Sequence, residues 1–150
     1  MDTSFRLKII RNGETGELPF GSLLTRRTIV SVYMRNNTPS CDRQNDSLVA
    51  RAGEFDRAGY NLVAISRDGC KSHARYAAAR RIGYTLASDP QDRFAQAAGS
   101  LIEKSMYGRK FIGPARAAFV LDCDGTVLAV ADKVDTADHA AQLRELIKKL

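Results

Sequence analysis

The chain has 150 residues, of which 44% are hydrophobic, and its 23 Lys and Arg against 17 Asp and Glu give a formal net charge of +6. This length lies within the roughly 100 to 200 residues usual for one domain, so we expect a single domain over residues 1–150. No apolar run approaches the roughly 18 residues of a membrane span, and residues 1–6 lack the basic-then-apolar order of a signal peptide. We therefore expect a cytoplasmic protein with no membrane partner.

The basic residues do not identify a partner, because they are spread along the whole chain with acidic residues between them. This pattern favours a solvated surface over nucleic-acid binding. Three cysteines, Cys41, Cys70 and Cys123, are too few and too scattered for a disulfide framework, and no Cys or His cluster has metal-ligand spacing. We expect no cofactor and no metal, which leaves thiol redox chemistry or inert burial for the cysteines.

Strand and helix patterns alternate through the first two thirds of the chain. Apolar periodicity predicts strands before and after the helix that begins near Cys41 and stops at Gly59, and a second helix that runs from Asp68 or Gly69 to Gly83. Asp89 and Pro90 are predicted to start a third helix that passes Ala97. The strands predicted in this part are 5–10, 28–34, 60–66 and 84–88, with a turn at 11–13.

The last third is predicted to contain a hairpin and a closing helix. Strands 117–121 and 127–131 flank Asp124-Gly125, a hairpin signal, and residues 136–150 have an apolar side typical of an amphipathic helix. Two β-α-β crossovers followed by these elements predict an α/β protein whose mixed central sheet is flanked by helices on both faces. This arrangement fits a thioredoxin-like domain. A dinucleotide-binding fold has little support, because there is no Gly-rich phosphate loop.

Chemistry is first suggested by the sequence Thr38-Pro39-Ser40-Cys41, which lies where a predicted strand gives way to a helix. The unpaired N–H groups and the positive end of the helix dipole favour an anion at such a place. The thiolate is the nucleophilic form of cysteine. Cys41 is therefore the first candidate for a reactive residue.

The chain resembles the peroxiredoxins, in particular the branch called bacterioferritin comigratory protein or Q-type thiol peroxidases. The resemblance covers nearly the whole chain after about residue 18 and implies one domain of the AhpC/TSA type. It is carried by a loop that ends in Cys41, by the Ser-x-Asp-x-x-Lys-Ser-His pattern from Ser66 to His73, and by the segments 88–90, 106–110, 113–116 and 119–122.

The resemblance implies roles for individual residues. Cys41 would be the peroxidatic cysteine, Thr38 its hydroxyl partner, and Arg116 the guanidinium that holds the thiolate and the peroxide, while Met34, Pro39 and Ser40 would line the substrate pocket. These roles are physically reasonable, because a cysteine with a pKa of roughly 8.5 needs a helix N-terminus and a fixed cation to stay ionised at neutral pH. We expect His73, which has no partner cluster, to be structural.

The sequence departs from the family at several positions. Met34 stands where the family motif has proline, so the pocket is expected to be looser. The usual positions of a resolving cysteine hold Asp46 and Ala77. Cys70 or Cys123 could act as a displaced resolver, although inert placement is favoured. We therefore expect a one-cysteine cycle in which thioredoxin, glutaredoxin, glutathione or another external thiol attacks the oxidised cysteine.

The leading hypothesis is a thiol peroxidase, a monomer or homodimer, that reduces hydrogen peroxide or alkyl hydroperoxides through a sulfenic acid at Cys41. An alternative, motivated by Met34 and by the missing resolving cysteine, is a catalytically weakened redox sensor or interaction module. A disulfide reductase ranks last, because it needs a second thiol close to Cys41.

Overall fold

The computed structural model describes residues 1–150 as nine strands, four α-helices and one 3₁₀ turn at Phe20–Leu23. The strands are β1 (Arg6–Arg11), β2 (Glu14–Pro19), β3 (Thr28–Val32), β4 (Asn61–Ser66), β5 (Thr85–Ser88), β6 (Leu101–Met106), β7 (Arg109–Pro114), β8 (Ala118–Leu121) and β9 (Val127–Ala131). The helices are α1 (Pro39–Arg57), α2 (Cys70–Arg80), α3 (Arg93–Ala98) and α4 (His139–Lys148).

Seven strands form one mixed sheet in the order β2-β1-β5-β4-β3-β8-β9. Strands β3, β4 and β5 are parallel, as the two predicted crossovers require, and the outer strands pair antiparallel. The parallel strands are almost wholly buried, which explains why their sequences are continuous apolar runs. The predicted mixed sheet with its two crossovers is confirmed.

Helices cover both faces of this sheet, as predicted. On one face, α1, α2 and α4 contribute Leu48, Tyr76 and Leu143 to a buried cluster. On the other face, the 3₁₀ turn and α3 contribute Phe20 and Phe94 to a second cluster, in which Phe94 packs edge-on against Phe119 of β8. No helix is long and apolar enough to cross a membrane.

Some predicted boundaries were wrong, and local backbone chemistry explains two of them. Helix α2 ends at Arg80 instead of Gly83, because Arg81 takes the left-handed conformation and caps it. Helix α3 begins at Arg93 instead of at Asp89, whose carboxylate accepts hydrogen bonds from the backbone N–H groups of Arg93 and Phe94. In addition, β3 ends at Val32 and α4 spans only His139–Lys148.

Two strand pairs contain elements that the sequence patterns did not predict. Strand β2 pairs antiparallel with β1 across Asn12 and Gly13, both of which have positive φ angles, as a tight two-residue hairpin needs. Strands β6 and β7 form a separate two-stranded ribbon whose turn, Tyr107-Gly108, also has positive φ angles. Strands β2, β6 and β7 contain mostly exposed residues, so they lack the apolar alternation by which strands are recognised.

Candidate active site

Cys41 lies in the first turn of α1, beyond the carboxyl end of β3. Thr38 is the extended N-cap residue, and Pro39 occupies the first helical turn, where its missing N–H group costs nothing. The side chain of Cys41 is packed into the core, and the residue is only 1% exposed. The neighbouring Thr38 and Ser40 are partly exposed, so the cysteine lies just below the surface at the start of the helix.

The loop that leads to Cys41 is fixed by the motif at the start of α2. The backbone N–H of Asn36 donates to Asp68 Oδ2 at 2.9 Å. The Asn36 amide also lies 3.1 Å from Ser72 Oγ and 3.1 Å from His73 Nδ1, and His73 Nε2 lies 3.0 Å from the carbonyl oxygen of Ala87. The Asn36 amide nitrogen is a donor and the Ala87 carbonyl is an acceptor, so the buried ring carries its proton on Nε2. His73 therefore positions the loop and does not point at Cys41.

The Thr38 hydroxyl has more than one possible partner. It donates to the carbonyl oxygen of Arg35 at 2.8 Å, and it is also close enough to Cys41 to favour the thiolate. A hydroxyl has one proton, so Thr38 can serve only one of these acceptors at a time. Rotation about the Cβ–Oγ1 bond of Thr38 would turn the hydroxyl hydrogen from the carbonyl oxygen of Arg35 to the sulfur of Cys41.

Arg116 reaches the start of α1 from the segment between β7 and β8. Its Nη2 donates to Ser40 Oγ at 3.1 Å and its Nη1 donates to Gln44 Oε1 at 3.3 Å, so the guanidinium is held by both ends of its fork. It makes no hydrogen bond to Cys41 in this structure and acts on the sulfur through its charge. Arg116, which is distant in the sequence, is thus brought next to Thr38, Ser40 and Cys41.

The pKa of Cys41 is lowered from its ordinary value. Burial of the sulfur is the largest influence and opposes ionisation, but it is outweighed by the Thr38 hydroxyl, by the backbone of Arg35 and Met34, and by the charge of Arg116. Hydrogen bonds and a nearby cation favour the charged form of an acid. The site therefore stabilises the thiolate, which is the form that a nucleophilic cysteine needs.

The lowered pKa predicts how the reaction with peroxide depends on pH. Because only the thiolate attacks, the rate constant should be constant from alkaline pH down past the ordinary cysteine pKa of about 8.5. It should fall only when the pH drops through the lowered value and Cys41 is protonated. Rapid mixing with hydrogen peroxide over a pH series measures this profile. A rate that already falls near pH 8.5, like that of free cysteine, would contradict the assignment.

Met34, which replaces the proline of the family motif, contacts a lysine of the β6–β7 ribbon. The ammonium nitrogen of Lys104 lies 2.8 Å from Met34 Sδ, and no carboxylate lies within ion-pair distance of it. The pKa of Lys104 is lowered, first by burial and then by the charges of Arg67 and Arg116. The ribbon thus places a second, unpaired cation near Cys41.

Lys104→Met is therefore expected to raise the thiol pKa of Cys41, because it removes a positive charge from the neighbourhood of the thiolate. The effect on the rate with hydrogen peroxide should be at most about threefold, since the ammonium group is still partly hydrated. Lys110→Met is the matched control, because Lys110 is on the same ribbon but is exposed and pairs with Glu103. Titration of the thiolate absorbance compares the two variants, and equal shifts would contradict a specific effect of Lys104.

The other two cysteines lie in different surroundings. All three are free thiols; Cys70 is the first residue of α2 and is partly buried against the core, whereas Cys123 is exposed in the turn between β8 and β9. The two positions at which relatives usually carry a resolving cysteine hold other residues here. Asp46 accepts a hydrogen bond from Arg80 Nη1 at 2.7 Å, and Ala77 packs against the core.

Four residues near the site were not predicted from the sequence. Gln44 contacts Arg116, Lys104 contacts Met34, and Ser31 and His139 lie behind Gln44 in the core. Gln44 lies three residues after Cys41, and this helical spacing, which places the two residues on the same face of α1, is the signal by which it could have been found. The other three come from distant segments, and no local pattern connects them to Cys41.

A thioredoxin-like sheet that holds a low-pKa cysteine at a helix start beside an arginine is the architecture of thiol-dependent peroxidases. Residues 3–130 match the model of the AhpC/TSA family, and the chain belongs to this family. The family is thus shown over most of the chain, and the predicted thioredoxin-like peroxiredoxin fold is confirmed.

Individual relatives show to which branch of the family the chain belongs. The chain is 32% identical over 120 residues to peroxiredoxin Bcp of Xanthomonas campestris, covering 80% of this chain and 75% of the relative. It is 31% identical over 114 residues to peroxiredoxin Bcp of Escherichia coli K12, covering 76% and 73%. A solved structure of the Xanthomonas campestris bacterioferritin comigratory protein superposes with a TM-score of 0.87 at 26% identity, covering 98% of this chain and 92% of the other. The chain is a thiol-dependent peroxidase of the Bcp branch, as predicted.

Proposed function

We propose that this peroxidase reduces hydrogen peroxide and alkyl hydroperoxides through a sulfenic acid at Cys41. The observation that supports this most strongly is the placement of a buried cysteine in the first turn of α1 with the Thr38 hydroxyl and the Arg116 guanidinium beside it, an arrangement that lowers the pKa of Cys41. The Xanthomonas campestris relative, whose alkyl peroxide reduction activity has been studied structurally, supports alkyl hydroperoxides as substrates.

In the first half of the cycle, the thiolate of Cys41 attacks one peroxide oxygen. A sulfur–oxygen bond forms as the oxygen–oxygen bond breaks, and the sulfur is oxidised to the sulfenic acid. The leaving oxygen takes up a proton from solvent, so the peroxide is reduced to water or an alcohol. Arg116 stabilises the negative charge that moves from sulfur to the leaving oxygen. The Thr38 hydroxyl, released from the carbonyl oxygen of Arg35, can donate to a peroxide oxygen and align it with the sulfur.

In the second half, an external thiol restores Cys41. The sulfenic acid condenses with this thiol to give a mixed disulfide and water, and a second thiol reduces the disulfide. Thioredoxin, glutaredoxin and glutathione are the proposed classes of reductant. Cys70 and Cys123 are proposed to take no part.

The contacts between α1 and α2 support the one-cysteine cycle. Arg80 of α2 pairs with Asp42 at 2.9 Å and with Asp46 at 2.7 Å, and the Tyr76 hydroxyl donates to Asp42 at 2.8 Å. These contacts hold the first two turns of α1 against α2. An internal disulfide would require Cys41 to leave its buried position, and the ion pairs oppose the opening of the helix that this movement needs.

Mass spectrometry after one equivalent of peroxide is expected to show sulfenic acid on Cys41 and no internal disulfide. Trapping with a sulfenic-acid reagent would label Cys41, while Cys70 and Cys123 would remain free thiols. A Cys70→Ser, Cys123→Ser double variant is the control and should give the same labelling. A quantitative bridge from Cys41 to either cysteine would overturn the one-cysteine cycle.

Steady-state peroxide consumption, assayed separately with thioredoxin, glutaredoxin and glutathione, tests the whole function. Continuous turnover with at least one of these thiols is expected. A single stoichiometric oxidation with no turnover in any of the three assays would contradict the proposed peroxidase cycle and favour the redox-sensor alternative.

A further inference from the structure

A continuous chain of hydrogen bonds leads from Arg116 through the core to α4. Arg116 Nη1 donates to Gln44 Oε1 at 3.3 Å, and Gln44 Nε2 donates to Ser31 Oγ at 2.8 Å. Ser31 Oγ lies 3.0 Å from His139 Nε2, and His139 Nδ1 lies 3.1 Å from Gln142 Oε1. Ser31, Gln44 and His139 are completely buried. This series of hydrogen bonds therefore connects α1, β3 and α4 behind the candidate active site.

The available acceptors settle the orientation of the Gln44 amide. Its nitrogen has two acceptors, Ser31 Oγ at 2.8 Å and the carbonyl oxygen of Val32 at 3.3 Å. Its oxygen faces the guanidinium of Arg116, which can only donate. In the opposite orientation, the NH₂ group would face the guanidinium, donor against donor.

The same logic fixes the proton positions on Ser31 and His139. The Gln142 amide nitrogen donates to the carbonyl oxygen of Lys133 at 2.6 Å and Gln142 Oε1 accepts from the backbone N–H of Asp135 at 2.9 Å, so this oxygen is also the acceptor for His139 Nδ1. The ring proton is therefore on Nδ1 and Nε2 is unprotonated, so the Ser31 hydroxyl, which accepts from Gln44, donates to Nε2. Burial lowers the pKa of His139, in agreement with a neutral ring.

Every donor in this series of hydrogen bonds thus points away from Arg116 and toward α4. Hydrogen bonds aligned in one direction polarise one another, and a buried polar network with all partners satisfied has one preferred arrangement. The preferred arrangement here presents an amide oxygen to Arg116.

We propose that Ser31 and His139 are positioning residues of the peroxidase: they fix the Gln44 amide, and that amide holds the Arg116 guanidinium beside Cys41. Neither residue contacts the sulfur or the peroxide. This inference rests on the proposed roles of Cys41 and Arg116, and it adds α4 to the elements that determine reactivity at the start of α1.

His139→Leu and His139→Gln separate positioning from packing. Leucine fills the space but cannot accept a hydrogen bond, whereas glutamine can place an amide oxygen near the position of Nε2. We expect His139→Leu to raise the thiol pKa of Cys41 and to slow its oxidation by hydrogen peroxide roughly tenfold, within the coupling range of residues in one network. His139→Gln should stay within about twofold of the parent rate.

The thiol pKa is read from the thiolate absorbance in a Cys70→Ser, Cys123→Ser background, where Cys41 is the only thiol. This measurement needs no peroxide, so it tests the positioning inference separately from the proposed function. If the parent protein failed to react with peroxide, the proposed function would be contradicted, but the thiol pKa values of the variants would still test the positioning inference. A folded His139→Leu variant with an unchanged thiol pKa would overturn the inference.

Ser31→Ala provides a second route if His139→Leu does not fold. It removes the central hydroxyl with a minimal change of volume. Its effect is measured both in the parent protein and in the Arg116→Met variant. If Ser31 acts through Arg116, Ser31→Ala should slow peroxide oxidation roughly tenfold in the parent and have almost no effect in the Arg116→Met background. Equal effects in both backgrounds would show that Ser31 does not act through Arg116 and would overturn the inference.

Discussion

Replacing Cys41 with serine is expected to abolish peroxide turnover, with a loss of at least about a thousandfold. A serine hydroxyl remains protonated at neutral pH and has no adjacent base to activate it, so the nucleophile is removed while the shape of the site is nearly kept. The substitution should leave the fold intact, because the oxygen occupies the same small buried space as the sulfur. Steady-state peroxide consumption with a thiol reductant measures the loss.

The other cysteines provide matched controls for this result. Cys70→Ser changes a partly buried thiol and Cys123→Ser an exposed one. Each should keep the parent rate within about twofold, since neither thiol is needed in a one-cysteine cycle. Loss of turnover in Cys70→Ser would assign a resolving role to Cys70. Full turnover in Cys41→Ser would contradict the assignment of Cys41 as the nucleophile.

Arg116→Met is expected to have the second largest effect, a fall of about a hundredfold to a thousandfold in the rate constant for peroxide. Two consequences add together. The thiol pKa of Cys41 rises because the nearby positive charge is lost, and the transition state loses the donors that stabilise the leaving oxygen. At high pH, where Cys41 is fully ionised in both proteins, the remaining difference in rate measures only the lost stabilisation of the transition state.

Arg116→Lys separates charge from geometry. The ammonium keeps the positive charge but cannot bind Ser40 and Gln44 with two arms of one planar group. We expect a smaller rise of the thiol pKa than in Arg116→Met and a rate roughly tenfold below the parent.

Arg144→Met is the control for the loss of an arginine. Arg144 pairs with Glu54 at 2.9 Å between α4 and α1 and has no contact with the site. Its substitution should change the rate by less than about twofold, as for other exposed ion pairs. A comparable loss of rate in Arg144→Met and Arg116→Met would contradict a specific role for Arg116.

The parallel core of the fold could be predicted because its sequence patterns are strong. Strands β3, β4 and β5 are buried on both faces and are therefore continuous apolar runs, and Gly59 marks the end of α1 with a positive φ angle. The exposed strands β2, β6 and β7 gave weaker signals. Asn12-Gly13 is a hairpin sequence, from which β2 could have been predicted.

The candidate site could be predicted only as far as its motifs extend. Thr38, Ser40 and Cys41 are close in the sequence, and Arg116 was located by resemblance to the family. The contact of Lys104 with Met34 and the chain from Gln44 to His139 depend on how distant segments pack. A single sequence carries no local pattern for such contacts, because each residue alone has the appearance of an ordinary polar residue.

The central claim is that the structure makes Cys41 a fast nucleophile toward peroxide, and the exposed Cys123 of the same chain is an internal reference. Reduced protein is mixed rapidly with hydrogen peroxide and quenched, the remaining thiols are alkylated, and each cysteine is quantified by peptide mass spectrometry. Buried Cys41 should be oxidised at least about a thousandfold faster than Cys123, because the stabilised thiolate is joined by Arg116 and Thr38, which stabilise the transition state and align the peroxide. Oxidation of Cys41 at the same rate as Cys123, or more slowly, would contradict this account.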